Sequence, residues 1–449
     1  MPDLFFPSYT KKILSALNAA GYEAYLVGGA VRDLLLGKSP DDYDITTNAL
    51  PEQVLAVCKQ HDWKTVDQLG HNFGCVVIVI NGVATEATTF RGERYNDDDM
   101  HRPAATWFCS SLREDLSRRD FTVNAMALSL DGTLYDYFGG QQDLQQKILR
   151  TVGDAKQRFH EDALRMLRAC RFAAQLGFTY KQAGCEALPA CGAPNTPYYL
   201  PHGYSFPVER CAGLSLERVR KELEKLLTSE YAGKGLMLMM ATGLLGASCH
   251  ARENGSDTVI PILPEALHLL CLHQNPRFHL YDTWEHTLLA LDNSPRDLAI
   301  RWALVLHDLG KGLPNVRKLN KEGEPSDPGH EADEKGVEHC LGISFERKAQ
   351  IFADAGEGGF QGGPLLCGHP LGKLYAQRGL SGLSVGYGRR GGRQKAEVGA
   401  LSISGEVAPL QPPPADQGVN RDGHMGFGKS PPLHNIGGGI IGRRVGQEE

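Results

Sequence analysis

The stretch that most constrains the fold lies near the N-terminus, over residues 25–47, and reads YLVGGAVRDLLLGKSPDDYDITT. It opens with three apolar residues of strand type, followed by Gly28 and Gly29. Residues 31–36 predict a short helix, and Gly37 fits its C-terminal stop. A glycine turn before a helix offers free backbone N–H groups and a positive dipole end, and glycine lets a bulky anion come close. The stretch therefore predicts a phosphate-binding turn.

Two acidic residues follow this turn. Asp42 and Asp44 flank Tyr43 in a segment that predicts the second strand. Because side chains alternate on a strand, both carboxylates should point to the same face. Mg²⁺ prefers a few carboxylates together with substrate phosphate oxygens, and Arg32 in the first helical turn adds a fork of donors for a phosphate. A metal site beside a phosphate site is the layout of nucleotidyl transfer.

The pattern GG-x-VRD followed by D-x-D resembles the signature of the class II family of tRNA CCA-adding enzymes and bacterial poly(A) polymerases. The resemblance implies an α+β fold, with a polymerase-β-like nucleotidyltransferase palm on a mixed sheet, then an all-helical neck and a partial HD region. It implies addition or repair of the 3′-terminal CCA of tRNA from CTP and ATP without a nucleic-acid template, with release of pyrophosphate and Mg²⁺ as cofactor. Asp42 and Asp44 would be the catalytic metal ligands. Gly29 and Arg32 would hold the triphosphate, with Gly28 as an additional candidate.

A second motif, LSRRDFTVNAMAL at residues 116–128, resembles the family element that reaches the triphosphate and the sugar. This resemblance assigns nucleotide contact to Arg119 and makes Asn124 an additional candidate. Glu86 lies on the predicted return strand of a hairpin that turns at Asn81 and Gly82. It could be a third carboxylate near the metal or the cross-strand partner of a basic residue, and the sequence leaves both open.

A third motif, EDALRMLRACR at residues 161–171, resembles the family element that selects the base. In the family, the Asp and the first Arg pair with incoming CTP or ATP, which assigns base choice here to Asp162 and Arg165. Arg168 and Arg171 would also belong to the nucleotide site. The three-residue spacing predicts that all four side chains form one stripe on a helix.

The segment AIRWALVLHDLGK at residues 299–311 resembles the HD domain appended to some CCA-adding enzymes. His286, His307 and Asp308 are the candidate metal ligands of this region. Gly329 and His330 resemble the next HD element, but a further helical Asp is missing, so the predicted phosphohydrolase site is incomplete.

These features divide the chain into four parts. We expect a palm over residues 1–152, a helical neck over 153–262 with an irregular segment at 180–213, and a partial HD-like domain over 263–330. Residues 331–449 are rich in Gly and Pro, which leaves little capacity for a packed core. This tail is predicted to be disordered or translated out of frame.

Composition limits the partners of the protein. A net charge of −6 excludes a globally basic coat for nucleic acid but permits a local basic face. No signal peptide or membrane span is predicted, which favours a cytoplasmic protein. The expected partners are tRNA, CTP and ATP, with no membrane and no protein partner. The alternatives are a poly(A) polymerase of the same family, a catalytically weak RNA-binding or regulatory protein, and an HD phosphohydrolase.

Overall fold

The described part of the chain belongs to one unit, which spans Met1–Ser381. A second unit is Gly382–Glu449. The predicted tail and residues 97–99 lie outside the residues that the structure describes. The computed structural model describes residues 6–66, 74–95, 103, 105–181, 186–189, 199–202, 206–253 and 256–330.

The N-terminal part is built on strands that form a mixed sheet and a separate hairpin. The strands are β1 (Ala24–Val27), β2 (Ile45–Thr47), β3 (Lys64–Val66), β4 (Cys75–Ile80), β5 (Val83–Thr89), β6 (Arg91–Arg94), β7 (Ala105–Phe108), β8 (Met126–Leu128) and β9 (Leu134–Asp136). Seven of them form the sheet in the order β3-β4-β5-β2-β1-β8-β9. Its neighbours are antiparallel except β2 and β5, which run parallel. The hairpin consists of β6 and β7.

The sequence accounts for the hairpin between β4 and β5. Val76, Ile78 and Ile80 alternate along β4, and all three side chains are buried. Asn81 and Gly82 have φ angles of 52° and 82°, and a type I′ turn requires positive φ at both central residues. The predicted hairpin is confirmed.

Helices pack on this sheet, and their bounds are α1 (Ser8–Ala19), α2 (Gly29–Leu35), α3 (Pro51–Gln60), α4 (Leu112–Ser117) and α5 (Gly140–Gln146). Helix α2 begins two residues earlier than predicted, because Gly28 makes the turn and its carbonyl already accepts from the N–H of Arg32 at 3.3 Å. With helices on a mixed sheet, the predicted α+β palm is confirmed.

The neck is formed by helices that pack closely on one another. A Cβ atom added at Gly235 would lie 2.8 Å from the Cys170 carbonyl oxygen and from the Ala174 Cβ, so only glycine permits this approach. The elements of this part are β10 (Ile148–Leu149), α6 (Ala155–Glu161), α7 (Leu164–Leu176), β11 (Thr179–Tyr180), α8 (Leu216–Leu227) and α9 (Ala232–Ala241), with β10 and β11 paired in parallel.

The prediction of an all-helical neck is wrong. Helix α7 ends at Gly177, whose φ is 67°. The described remainder of the irregular segment holds a hairpin of β12 (Glu186–Pro189) and β13 (Tyr199–His202) and a 3₁₀ turn at Val208–Gly213. A second hairpin, β14 (Ser248–Glu253) with β15 (Ser256–Pro261), follows the helices. β-branched residues and prolines in these segments oppose helix continuation.

The HD-like part contains the two helices that its motifs predict. They are α10 (Thr283–Asp292) and α11 (Leu298–Leu306), capped by Asp282 and Asp297. The sequence also predicts a helix over residues 263–271, and the structure has a 3₁₀ turn there instead, Pro264–Leu269. No helix in the described ranges is both long enough and apolar enough to cross a membrane.

One buried ion pair joins α7 to α8. The Nε of Arg171 donates to Oε2 of Glu222, and the two side chains are 8% and 9% exposed. Replacing Glu222 with Ala should lower the free energy of unfolding by about 3 kcal/mol, because it leaves a buried guanidinium without its carboxylate. Denaturant titration of the full chain measures this loss.

The matched control is Glu224→Ala on the same helix. Glu224 pairs with Arg220 at 2.6 Å, but its side chain is 29% exposed. A pair on the helix surface contributes about 0.3–0.5 kcal/mol, so this variant should lose far less. Equal losses in the two variants would mean that the buried pair has no special role in stability.

Candidate active site

A single cavity of about 720 Å³ gathers the predicted residues of the nucleotide site. Its wall combines the turn before α2, the segment before β2, the arginine-rich motif after α4, and the inner face of α7. Glu86 lies outside the lining. The predicted residues that line it are Gly28, Gly29, Arg32, Asp42, Asp44, Arg119, Asn124, Asp162, Arg165, Arg168 and Arg171.

Asp42 and Asp44 line the cavity, but not as alternating residues of a strand. Strand β2 begins only at Ile45, so the predicted strand geometry is wrong. The backbone of Asp44 still extends the sheet, because its carbonyl accepts from the N–H of Val27 at 3.0 Å. Asp42 lies in the connecting segment, and both side chains are exposed to solvent.

Glu86 supplies a third carboxylate beside this pair. In the parallel ladder Ile45 is opposite Ala87, which sets Glu86 next to Asp44. Its antiparallel partner on β4 is Val77, so the interpretation as the partner of a basic residue directly opposite is wrong. Partial desolvation, followed by the Glu86 and Asp42 charges, raises the pKa of Asp44 to about 6, although Arg119 acts in the opposite direction.

The phosphate side of the cavity is built from glycine and arginine. Gly28 has a φ of 71°, and a Cβ there would lie 3.2 Å from Nη1 of Arg119, so backbone and guanidinium meet only because the residue is glycine. Arg119 Nη2 donates to Asp115 Oδ2 at 3.4 Å. Its Nε is buried without a hydrogen-bond partner, and such a donor is suited to an incoming anion.

A chain of hydrogen bonds connects the two sides of the cavity. Arg32 Nη1 donates to Asn124 Oδ1 at 2.7 Å, and Asn124 Nδ2 donates to Asp120 Oδ1 at 3.2 Å. The Nε of Arg168 donates to the other oxygen of Asp120 at 2.8 Å. Burial alone would raise the pKa of Asp120, but Arg168 and the hydrogen bonds hold it at about 2. This carboxylate therefore stays ionised and orders three predicted site residues.

Asp162 is not on the helical stripe that its spacing predicts. Helix α6 ends at Glu161 and α7 begins at Leu164, and Asp162 between them has an extended backbone (φ −143°, ψ 108°). Its Oδ1 accepts from the N–H of Leu164 at 3.0 Å, and its Oδ2 accepts from Arg218 Nη2 at 3.3 Å. The carboxylate nevertheless faces the same cavity as the arginines.

The arginines of α7 differ in how tightly they are held. Arg165 is 6% exposed, and its Nη1 donates to Glu161 Oε2 at 2.7 Å while its Nη2 donates to the Arg118 carbonyl at 3.0 Å. Arg171 lies 3.9 Å above the ring of Phe172 and is paired with Glu222. Arg168 is the most accessible of the three, with a side chain that is 33% exposed.

Three carboxylates that the sequence motifs did not indicate hold arginines of the cavity wall. Asp115 contacts Arg119, and Glu161 contacts Arg165, each with a spacing of four residues on the chain. The two residues of each pair do not share a helix, because α4 ends at Ser117 and α6 ends at Glu161, so nearness in the chain is the usable signal. Glu222 contacts Arg171 across 51 residues, and no local pattern predicts such a pair.

The predicted HD residues meet in a separate cluster. One ligand atom from each of His286, His307 and Asp308 lies within 4.8 Å of the others. Asp308 also accepts from Lys311 Nζ at 2.8 Å and lies 3.3 Å from His330 Nε2. A cation at this cluster would therefore share the Asp308 carboxylate with the ammonium group of Lys311, or displace that ammonium group.

Comparison with known families agrees with this architecture. Residues 24–150 match the family described as "Poly A polymerase head domain". Residues 208–247 match the family described as "Probable RNA and SrmB- binding site of polymerase A". Over residues 24–150 the palm of this chain is therefore similar to poly A polymerase head domains.

Curated relatives narrow the similarity to CCA-adding enzymes. The CCA-adding enzyme of Geobacillus thermodenitrificans (strain NG80-2) is 46% identical over 232 residues, which is 52% of each chain. That of Bacillus licheniformis is 42% identical over 248 residues, 54% of this chain and 55% of the relative. The chain thus spans about half the length of these relatives. A crystal structure of the Bacillus stearothermophilus CCA-adding enzyme in complex with CTP is 35% identical, covers 69% of this chain and 64% of its own, and has a TM-score of 0.49.

Proposed function

We propose that this protein transfers CMP and AMP from CTP and ATP to the 3′ end of tRNA, with release of pyrophosphate. The observation that carries the proposal is that one cavity is lined by Asp42 and Asp44, by Arg119 with its unpaired Nε, and by Asp162 and Arg165. The similarity to CCA-adding enzymes over half of the chain supports the same substrates. A cytoplasmic location fits tRNA, CTP and ATP as partners.

The carboxylate group fits Mg²⁺. Carboxylate oxygens are the ligands that this hard cation prefers. Burial, followed by the negative charges of Glu86 and Asp42, raises the pKa of Asp44 even though the Arg119 charge opposes it. Asp42 and Asp44 would hold the ion, with Glu86 as a third ligand. When bound, Mg²⁺ would activate the RNA 3′-hydroxyl and stabilise the charge on the leaving pyrophosphate.

The protein residues supply binding and orientation. Gly28 and Gly29 let the triphosphate approach the backbone, and Arg119 directs its free Nε at the phosphates. Arg32 is ordered by Asn124 and adds positive charge to the same side. Asp162 and Arg165 present an acceptor and donors to the edge of the base. This positioning aligns the α-phosphate with the 3′-hydroxyl.

Asp44 makes the reaction depend on pH in a defined direction. Because its pKa is raised to about 6, the carboxyl takes up a proton as the pH falls through that value, and the protonated form binds a cation poorly. Nucleotide addition at subsaturating Mg²⁺ should fall about tenfold for each pH unit below about 5. Saturating Mg²⁺ should shift this fall in rate to lower pH, because the cation competes with the proton for the Asp44 carboxylate. A pH profile identical at both Mg²⁺ concentrations would contradict the assignment.

The deciding experiment incubates the full chain with tRNA that lacks its 3′ end, CTP, ATP and Mg²⁺. CCA ends would establish the proposed reaction, and runs of A would establish a poly(A) polymerase. RNA binding without any added nucleotide would favour the catalytically weak RNA-binding or regulatory protein.

A second candidate activity is phosphate-ester hydrolysis at the His286, His307 and Asp308 cluster, which the convergence of their ligand atoms favours. Asp308→Asn should abolish Mn²⁺-dependent hydrolysis of a model phosphomonoester and leave nucleotide addition intact. Hydrolysis that survives this substitution, or its absence in the unmodified protein, would remove this candidate.

A further inference from the structure

The β6–β7 hairpin contributes a buried carboxylate to the wall of the cavity. Glu93 on β6 is opposite Thr106 on β7, and the side chain of Glu93 is only 7% exposed. Sequence patterning predicts a mobile loop over residues 92–106. In the described part, the two ends of this segment are instead paired strands, and Glu93 and Tyr95 line the cavity with Thr106.

Both oxygens of Glu93 are occupied. Oε1 accepts from Arg91 Nε at 3.0 Å and from Arg118 Nη1 at 3.3 Å. Oε2 accepts from the hydroxyl of Tyr95 at 2.9 Å. We call these four residues the Glu93 cluster. Because a buried carboxylate is costly unless its acceptors are satisfied, the cluster fixes Arg118 and Tyr95 relative to the hairpin.

Arg118 transmits this position to the phosphate side of the cavity. Its Nε and Nη2 donate to Asp115 Oδ1 at 3.1 and 2.8 Å, so its guanidinium is held between Asp115 and Glu93. The other oxygen of Asp115 accepts from Arg119. With Arg118 held by Glu93, Asp115 and Arg119 are oriented together, and the Nε of Arg119 is buried without a hydrogen-bond partner.

The same cluster positions Arg165. Arg165 Nη2 donates to the backbone carbonyl of Arg118 at 3.0 Å, and its guanidinium carbon lies 5.7 Å from the centre of the Tyr95 ring. Tyr95 is in turn oriented by its bond to Glu93. Arg165 thus has two contacts that depend on the Glu93 cluster, besides its ion pair with Glu161.

We infer that Glu93 and Tyr95 are positioning residues that couple the triphosphate contact of Arg119 to base selection by Arg165. This inference rests on the proposed function, because it concerns the same nucleotide site. Neither residue would contact the reacting atoms. Each acts through an arginine, and the expected consequence is a change in which nucleotide is bound as well as in how tightly.

The test measures binding of CTP, ATP, GTP and UTP by the full chain in the presence of Mg²⁺. Glu93→Gln keeps the shape but removes the charge, and should weaken CTP binding and reduce the preference for CTP over UTP, each about tenfold. Tyr95→Phe keeps the ring under Arg165 but removes the hydroxyl, and should produce changes of about threefold in both quantities.

The matched control is Glu114→Gln. Glu114 also joins α4 to the hairpin, through a 3.0 Å bond from Trp107 Nε1, but it does not line the cavity. This variant should bind all four nucleotides as the unmodified protein does. Thermal unfolding of each variant identifies a fold defect, and if Glu93→Gln does not fold, Tyr95→Phe decides alone.

The outcomes separate this inference from the proposed function. Lost affinity together with lost preference for CTP supports the inference. Unchanged binding in Glu93→Gln and Tyr95→Phe overturns it, as does an equal loss of affinity for all four nucleotides, because a structural defect alone would leave the preference intact. Failure of the unmodified chain to bind CTP or ATP would instead overturn the proposed function.

Discussion

Replacing Asp44 with Asn should lower the rate of nucleotide addition about a thousandfold. The substitution removes a negative charge from the group formed by Asp42, Asp44 and Glu86, and an amide oxygen is a weaker ligand for a hard cation than a carboxylate. Stabilisation of transition-state charge by a bound cation is worth several kcal/mol, and about 1.4 kcal/mol changes a rate tenfold. Single-turnover incorporation of labelled CTP into tRNA lacking its 3′ end measures the effect, and Asp42→Ala should behave similarly.

Loss of folding should not account for this effect. The pKa of Asp44 is raised in the folded protein, so its ionised form opposes folding at neutral pH, and removal of the charge should not lower stability. Asp62→Asn is the control, because Asp62 is an exposed carboxylate in a turn with a φ of 55°, a conformation that Asn accepts readily. Near-normal turnover by Asp44→Asn or Asp42→Ala would exclude these residues as the metal ligands.

The sequence predicted which residues meet in the cavity better than it predicted their local geometry. The motifs around Gly28, Arg119 and Asp162 are far apart in the chain, yet all line one cavity. Periodicity alone failed at Asp162, because the backbone is extended there to accommodate the break between α6 and α7. Alternation along a strand also failed to predict the position of Asp42. The backbone of Asp44 extends the hydrogen-bond ladder before β2, and Asp42 lies in the segment before it.

Residues that hold the cavity together were harder to predict. Glu222 lies on an amphipathic helix, where a Glu normally faces solvent, and its burial results from the packing of α8 on α7. Glu93 lies in a segment whose polar composition indicates a loop. Such contacts depend on how elements pack, and the local sequence carries no periodic signal for them.

Substitution of Asp162 by Asn should reduce the preference for CTP over UTP about a thousandfold. Cytosine and adenine both carry an amino donor where uracil and guanine carry a carbonyl acceptor. A carboxylate accepts from the amino group and repels the carbonyl, whereas the amide of Asn can donate to the carbonyl. A site built around such a hydrogen bond can discriminate by about 10⁴-fold, since mismatched polar groups remain unpaired. The ratio of kcat/KM for CTP to that for UTP, measured with tRNA lacking its 3′ end, tests the prediction.

The control for this variant is Asp154→Asn. Asp154 caps α6 by accepting from the N–H of Gln157 at 2.8 Å and is exposed, and Asn is an equally good cap, so its selectivity should not change. Asp162→Asn should also leave the Mg²⁺ dependence of the rate unaltered, because Asp44 and its neighbours belong to other elements of the cavity wall. A uniform loss of activity with all four nucleotides would argue against protein templating. It would assign Asp162 to the orientation of Arg218, with which it shares a 3.3 Å hydrogen bond, instead of to the reading of the base.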